Sequence, residues 1–265
     1  MSKNLDRKVY EHSMKYDTQV IEVDMDREEM MRESLGVAAG ILARGHVVAL
    51  PTETVYGLGA NALDPEAVEK IFIAKGRPSD NPLIVHIGKV QEMEPLVRRI
   101  PDAAKKLMEA FWPGPLTMIL PKTPKVPSIT TGGLDTVAIR MPAHPVASRL
   151  LEICDFPIAA PSANRSGRPS PTTACHVYED MEGRIPLILD GGKSEVGVES
   201  TVVDMTRSRP VILRPGGITY EMLEKILGDI EVDPSVLKPV MEGQKVRSPG
   251  MKYTHYAPRA QVLIV

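Results

Sequence analysis

The chain reads as an α/β protein built on an open, twisted, mixed β-sheet with flanking helices, and three observations lead there. Short apolar runs such as Val47–Leu50, Leu116–Leu120 and Ile185–Leu189 are strand-like in length and composition. Between them lie segments with apolar residues at helical spacing, as in Met31, Leu35, Ala38, Ala39 and Leu42. The two kinds of segment do not alternate in a strict βαβ order, which favours a mixed sheet over a doubly wound parallel sheet or a barrel.

Taken in order, residues 1–18 are polar without a clear period and read as a loosely attached arm. Gln19–Val23 is a short strand, and Arg27–Arg44 is a helix that Gly45 is suited to end. After the Val47–Leu50 strand, Pro51–Gly59 reads as a polar turn with glycines. Asp64 and Pro65 form an N-cap and first-turn pair, so a helix runs to about Ala74 and delivers Lys75 and Arg77 just beyond its end. Leu83–Val85 is a strand closed by His86, and Pro101 begins a helix ending near Trp112. The strands Leu116–Leu120 and Thr136–Ile139 follow, the second ending in Arg140. A helix over Pro145–Cys154 precedes the strand Pro157–Ala160, which leads into Ser162 and Asn164. Ile185–Leu189, Thr201–Val203 and Val211–Leu213 complete the strands, and Tyr220–Leu227 is helical. Residues 238–258, rich in charge, Gly and Pro, read as a linker. The run 259–265 reads as the first strand of a C-terminal domain cut short at Val265.

Composition narrows the classes. With 43% hydrophobic and 25% charged residues, the 265-residue chain is ordinary globular material. It has no apolar run long enough to cross a bilayer and no apolar secretory core near Met1, which points to a cytoplasmic address. Two cysteines, Cys154 in an apolar helical context and Cys175 near a helix start, give neither a disulfide framework nor a zinc site. Scattered carboxylates lack metal-binding spacing. The formal net charge of −2 means that any affinity for nucleic acid rests on a local patch.

The strand exits carry the chemistry. Thr54, His86, Arg140, Ser162 and Arg214 each follow or end an apolar strand, the position from which open α/β sheets present groups to ligands. Taken singly, each has a bland reading: a cation at a helix end, a turn former, a structural histidine. Five at once point to a shared cationic cavity. No phosphate-binding glycine loop of a common kind occurs, so a nucleotide would be held by side chains. Lys75, Arg77, Arg140 and Arg214 are the available cations, with Ser162, Asn164 and Ser170 as neutral donors. Such a set suits phosphoryl or nucleotidyl chemistry, where positioning and charge stabilisation supply most of the rate.

Six motifs together resemble the YrdC-like family of threonylcarbamoyl-AMP synthases: Pro51–Leu58, Lys75-x-Arg77-Pro78, Asn81-Pro82-Leu83, Trp112–Thr117, Arg140-Met141-Pro142 and Pro161–Asn164. The likeness covers roughly Val20 to Ile230, and Ser248–Pro258 is similar to the linker of the family's longer, two-domain branch. The resemblance implies a YrdC-like catalytic domain over 19–237, with a large cationic cavity. It also implies a reaction joining L-threonine, bicarbonate and ATP to give L-threonylcarbamoyladenylate and pyrophosphate. Magnesium would be held mainly by the ATP phosphates. The product would pass to a transferase that modifies tRNA, with direct tRNA binding possible but not required.

By the same resemblance, Thr54, His86, Arg140, Ala160 and Ser200 surround threonine and its carbamate. Lys75, Arg77, Asn81, Thr136, Ser162, Asn164, Ser170 and Arg214 line the ATP side. Lys75 and Arg77 are the catalytic cations, and Tyr253, His255 and Tyr256 belong to a linker lid. Two other readings stay open from the sequence. One is an RNA-binding module using the same cavity. The other is a related carbamoyl-adenylate enzyme with another acceptor.

Overall fold

From residue 16 to residue 236, the span that the computed structural model describes, strands and helices follow closely on one another. They are β1 (Gln19–Glu22), α1 (Glu28–Ala43), β2 (Val48–Leu50), β3 (Gly57–Asn61), α2 (Pro65–Lys75), β4 (Ile84–His86) and α3 (Asp102–Phe111). Then come β5 (Leu116–Pro121), β6 (Thr136–Arg140), α4 (Pro145–Ile153), β7 (Ile158–Ala159), α5 (Ala174–Met181) and β8 (Leu187–Asp190). Last are β9 (Thr201–Asp204), β10 (Val211–Arg214), α6 (Tyr220–Leu227) and β11 (Glu231–Val232). The expected linker, its lid residues Tyr253, His255 and Tyr256, the strand 259–265 and most of the N-terminal arm lie outside the described residues. Residues 16–18 of that arm are not loose: Tyr16 N donates to Gly183 O, and Thr18 Oγ1 donates to Ile185 O at 2.7 Å.

The strands form one mixed sheet in the order β1-β8-β2-β3-β7-β4-β6-β5-β9-β10-β11. Parallel pairs (β1 with β8, β4 with β6, β5 with β9) are interleaved with antiparallel ones (β2 with β3, β5 with β6, β9 with β10). The sequence expectation of an open mixed α/β sheet matches this architecture.

Local chemistry explains the boundaries. The Asp64 side chain accepts hydrogen bonds from Glu66 N and Ala67 N, Pro65 opens α2, and Gly76 closes it with φ of 66°, a left-handed value. Lys75 is therefore the last helical residue, not one beyond the helix, and it is buried. The Pro51–Gly59 stretch, read from sequence as a turn, includes the start of β3. Its glycines serve packing there. A Cβ on Gly59 would lie 2.8 Å from Leu50 Cδ2 and 2.9 Å from Ile158 Cγ2, so only a bare backbone fits. The two-residue β11 and the eight-residue α5 are elements that no sequence pattern above predicts with bounds.

One face of the sheet is covered by α2, α3, α5 and α6. Their apolar residues, among them Ile71, Leu107, Val177 and Leu223, join Val85, Met118, Ile139, Val203 and Ile212 in the main core. On the other face α1 and α4 pack Leu35, Leu42, Val146 and Leu150 against Val48, Leu50, Leu187 and Leu189. That cover reaches only the β1-β8-β2-β3-β7 half. On the remaining half of the same face, Ile84, Ile119, Ala138, Val202, Val211 and Leu213 form a small separate apolar floor. No described helix contributes to that floor. The site lies over it.

Candidate active site

Residues directly opposite one another on neighbouring strands share a sheet face. Register alone therefore sets out a polar row: His86 lies opposite Arg140, Arg140 opposite Thr117, Thr117 opposite Val202 and Val202 opposite Arg214. The last member owes its direction to a bulge. Between Ile212 and Arg214 the β9–β10 register slips, leaving Leu213 out of the ladder. A regular ladder would pair Leu213 with Val202 and turn Arg214 to the opposite face.

His86, Arg140 and Arg214 of this row line a cavity of about 270 Å³. Thr52, Thr54 and Val55 from the β2–β3 connection, Ala160 and Ser162 after β7, and Arg77 and Asn81 after α2 also line it. Ser200 and Glu199 before β9 complete the wall. The connection is braced from within: Thr52 Oγ1 donates to Val55 O at 2.6 Å and lies 2.9 Å from Thr54 Oγ1. Close packing at Gly216 holds the far wall. A Cβ there would lie 2.3 Å from Glu199 O and 2.4 Å from Thr201 N, so the turn after Arg214 sits directly on the backbone that carries Ser200.

Arg140 is buried and held on three sides. Its Nε donates to Gly114 O at 3.2 Å, its Nη1 donates to Thr54 Oγ1 at 2.8 Å, and its Nη2 lies 2.7 Å from Glu53 Oε1. The last contact is a charge pair without a well-directed hydrogen bond, because Nη2 and both Glu53 oxygens lack one. Burial pulls the guanidinium below its usual pKa, and the neighbouring carboxylate opposes that pull. His86, also buried, is pushed down to about 3 by burial and then by the Arg140 charge, so its imidazole is neutral at physiological pH. Its Nδ1 makes no hydrogen bond.

Arg214 donates from Nε and Nη2 to Ser200 O and from Nη2 to Ser200 Oγ at 3.1 Å. Burial brings its pKa down to about 10, still a cation at neutral pH. The guanidinium of Arg77 lies over the Phe72 ring, 5.4 Å from its centroid.

The structure brings most of the sequence candidates together: Thr54, Arg77, Asn81, His86, Arg140, Ala160, Ser162, Ser200 and Arg214 all face one hollow. Lys75, Asn164 and Ser170 stand one layer back. Lys75 Nζ donates to Ser162 O at 2.5 Å and to Asn164 O at 2.6 Å, and burial holds its ammonium well below the usual value. Asn164 Oδ1 accepts from Ser162 Oγ, and Ser170 donates to Glu199 Oε1 at 2.6 Å. Thr136 begins β6 four residues before Arg140, about 13 Å away along the strand, and does not line this cavity. Glu199, Thr52 and the Glu53 partner of Arg140 were not assigned from sequence. Thr52 shares the Thr54 motif, but nothing local marks Glu199 as a wall residue.

Two family profiles match the chain: Sua5_yciO_yrdC, described as "Telomere recombination", over residues 40–216, and the threonylcarbamoyl-AMP synthase C-terminal domain over 218–265. The chain belongs to the Sua5/YciO/YrdC family. It is 55% identical over 239 residues to a threonylcarbamoyl-AMP synthase of Pyrococcus abyssi, covering 90% of this chain and 70% of that one. To the Bacillus subtilis enzyme of the same name it is 56% identical over 228 residues, covering 86% of this chain and 65% of the relative. The chain thus spans about two thirds of these relatives' length. A crystal structure of P. abyssi Sua5 complexed with L-threonine superposes with a TM-score of 0.87 at 54% identity, covering 92% of this chain and 70% of that one. Among the described residues no helix is long and apolar enough to cross a membrane.

Proposed function

We infer that the protein is an L-threonylcarbamoyladenylate synthase, joining L-threonine, bicarbonate and ATP into threonylcarbamoyl-AMP and pyrophosphate. The observation that carries this reading is the placement of Arg77, Arg140 and Arg214 on the wall of one cavity, in a chain whose relatives bear that name. A cytoplasmic location fits a reaction that consumes ATP and feeds tRNA modification.

In the first step, threonine's ammonium loses a proton and its nitrogen bonds to the carbon of bicarbonate. Water leaves and a carbamate forms. In the second, a carbamate oxygen attacks the α-phosphorus of ATP and pyrophosphate departs. No group on the protein becomes covalently attached.

Arg140 is the partner for the threonine carboxylate, with Thr54 and Glu53 fixing its plane. Ser200, the neutral His86 and the backbone at Ala160 border the same end. Arg77, Asn81, Ser162 and Arg214 take the nucleotide, while Lys75 and Asn164 set the position of Ser162 from behind. Carbamate and triphosphate are both anions, and cations in a partly dry cavity offset their repulsion.

Magnesium fits this donor set only as a passenger of ATP. Among the described residues, Glu199 is the one carboxylate lining the cavity, and no cluster of three His, Cys, Asp or Glu could hold a metal ion. When bound, the ion would neutralise charge on the departing pyrophosphate. The product is a mixed anhydride, whose reactivity calls for an enzyme that transfers its acyl group; the family resemblance implies a separate transferase that modifies tRNA.

The test is pyrophosphate release from ATP in the presence of bicarbonate, with and without L-threonine. Release that depends on threonine and exceeds that with L-serine supports the reading. A preference for serine points instead to another acceptor. Salt-sensitive RNA binding with no amino-acid-dependent turnover would replace the reading with a binding role.

A further inference from the structure

The motif Trp112–Thr117 contributes no cation, yet it touches both fixed points of the amino-acid end. Gly114 O accepts from Arg140 Nε, and Pro115 O accepts from Thr201 N. Thr117 itself is fully buried on β5, opposite both Arg140 and Val202, and its Oγ1 lies 2.7 Å from Ser200 Oγ.

The proton inventory of this pair decides its direction. Arg214 can only donate, so Ser200 Oγ accepts from it. If Ser200 also donated to Thr117, the Thr117 proton would be buried without an acceptor, because its hydroxyl bonds to no other described group. A buried donor left without an acceptor is strongly disfavoured. With Thr117 donating instead, Ser200 accepts twice and its own proton is left to point into the cavity. Ser200 then presents a donor, suited to an anionic carboxylate.

We propose that Thr117 is a positioning residue for the amino-acid half of the site: its hydroxyl and Arg214 together fill both lone pairs of Ser200 Oγ, which fixes the Ser200 proton toward the substrate carboxylate. The proposal rests on the synthase reading. The nucleotide half does not depend on Thr117 in the same way, because Arg214 keeps its two bonds to the Ser200 carbonyl whatever the hydroxyl does.

The experiment compares Thr117→Val, which keeps the branched shape and removes the hydroxyl, with Thr117→Ser, which does the reverse. In Thr117→Val the KM for threonine rises about tenfold while the KM for ATP and the melting temperature stay near wild type. In Thr117→Ser the threonine KM stays within about twofold of wild type. The proposal is overturned if Thr117→Val leaves the threonine KM unchanged, if both variants are impaired alike, or if the two KM values rise together. Wild-type protein without threonine-dependent pyrophosphate release removes the synthase reading itself, and the proposal with it. That outcome is read on the wild type alone.

Discussion

The two halves of one sheet face are built from the same kind of short strand and end in opposite ways. On the β1-β8-β2-β3-β7 half, the strand residues on that face include Val48, Leu50, Ile158, Leu187 and Leu189, and α1 and α4 lie on them. On the other half the corresponding row reads His86, Arg140, Thr117, Val202, Arg214, with an apolar floor beside it and no described helix above. Apolar side chains there would call for a third helix, and charged ones hold a cavity open. The cost is a set of buried polar groups, which stays tolerable only while each has a partner or a ligand. The site is thus the part of the fold where packing was given up.

Removing Arg140 is the sharpest way to break that contrast. Arg140→Met turns the row toward the composition of the covered half, but it strands Glu53 as a buried carboxylate. Breaking one side of such a pair costs about 3–5 kcal/mol. Thermal unfolding should show a large drop, and threonine-dependent turnover should fall by at least about a hundredfold, roughly 2.7 kcal/mol. Adding Glu53→Gln should restore much of the stability and none of the turnover. Equal melting of Arg140→Met and wild type would mean that the pair does not matter to the fold.

A smaller effect separates two cations that the sequence placed side by side. Arg77 faces the cavity, whereas Lys75 is spent on the carbonyls of Ser162 and Asn164. Arg77→Ala should therefore raise the KM for ATP about tenfold, or about 1.4 kcal/mol, with little change in melting. Lys75→Ala should cut turnover by a similar factor, but through a loosened 162–164 segment, and so should lower the melting temperature as well. Identical profiles for the two variants would erase the distinction between wall and backing.

How much of this was legible from sequence follows from where each signal resides. Strand exits are local, so Thr54, His86, Arg140, Ser162 and Arg214 stood out as polar residues ending apolar runs. The covered half was legible for the same reason, from helical spacing at Leu35 and Leu42. Partnerships are not local. Glu53 finds Arg140 across 87 positions of chain, and Ser170 finds Glu199 through a bond of 29. The β10 bulge that turns Arg214 inward leaves no mark in Val211–Arg214, and the glycines of β3 look like turn glycines until Leu50 and Ile158 are seen against them. Lys75 reads the same in the sequence whether it stands in a wall or behind it, so only burial tells the two apart.

The mildest test uses pH and again sets one half against the other, because the covered half has no titrating group where the row has His86. Burial holds the folded imidazole near 3, against about 6.5 in an unfolded chain. Between those values the unfolded chain binds a proton that the folded one does not, so stability falls as pH drops through that window and is unaffected above it. The slope from this residue is at most about 1.4 kcal/mol per pH unit. His86→Gln removes it. Melting temperatures of wild type and variant should therefore run parallel above pH 7, and below it the wild type should lose stability faster than the variant. Turnover should show no limb from His86 between pH 5 and 8, since the imidazole stays neutral throughout. Parallel melting curves down to pH 4 would mean that the histidine is already charged, or already hydrated, in the folded protein.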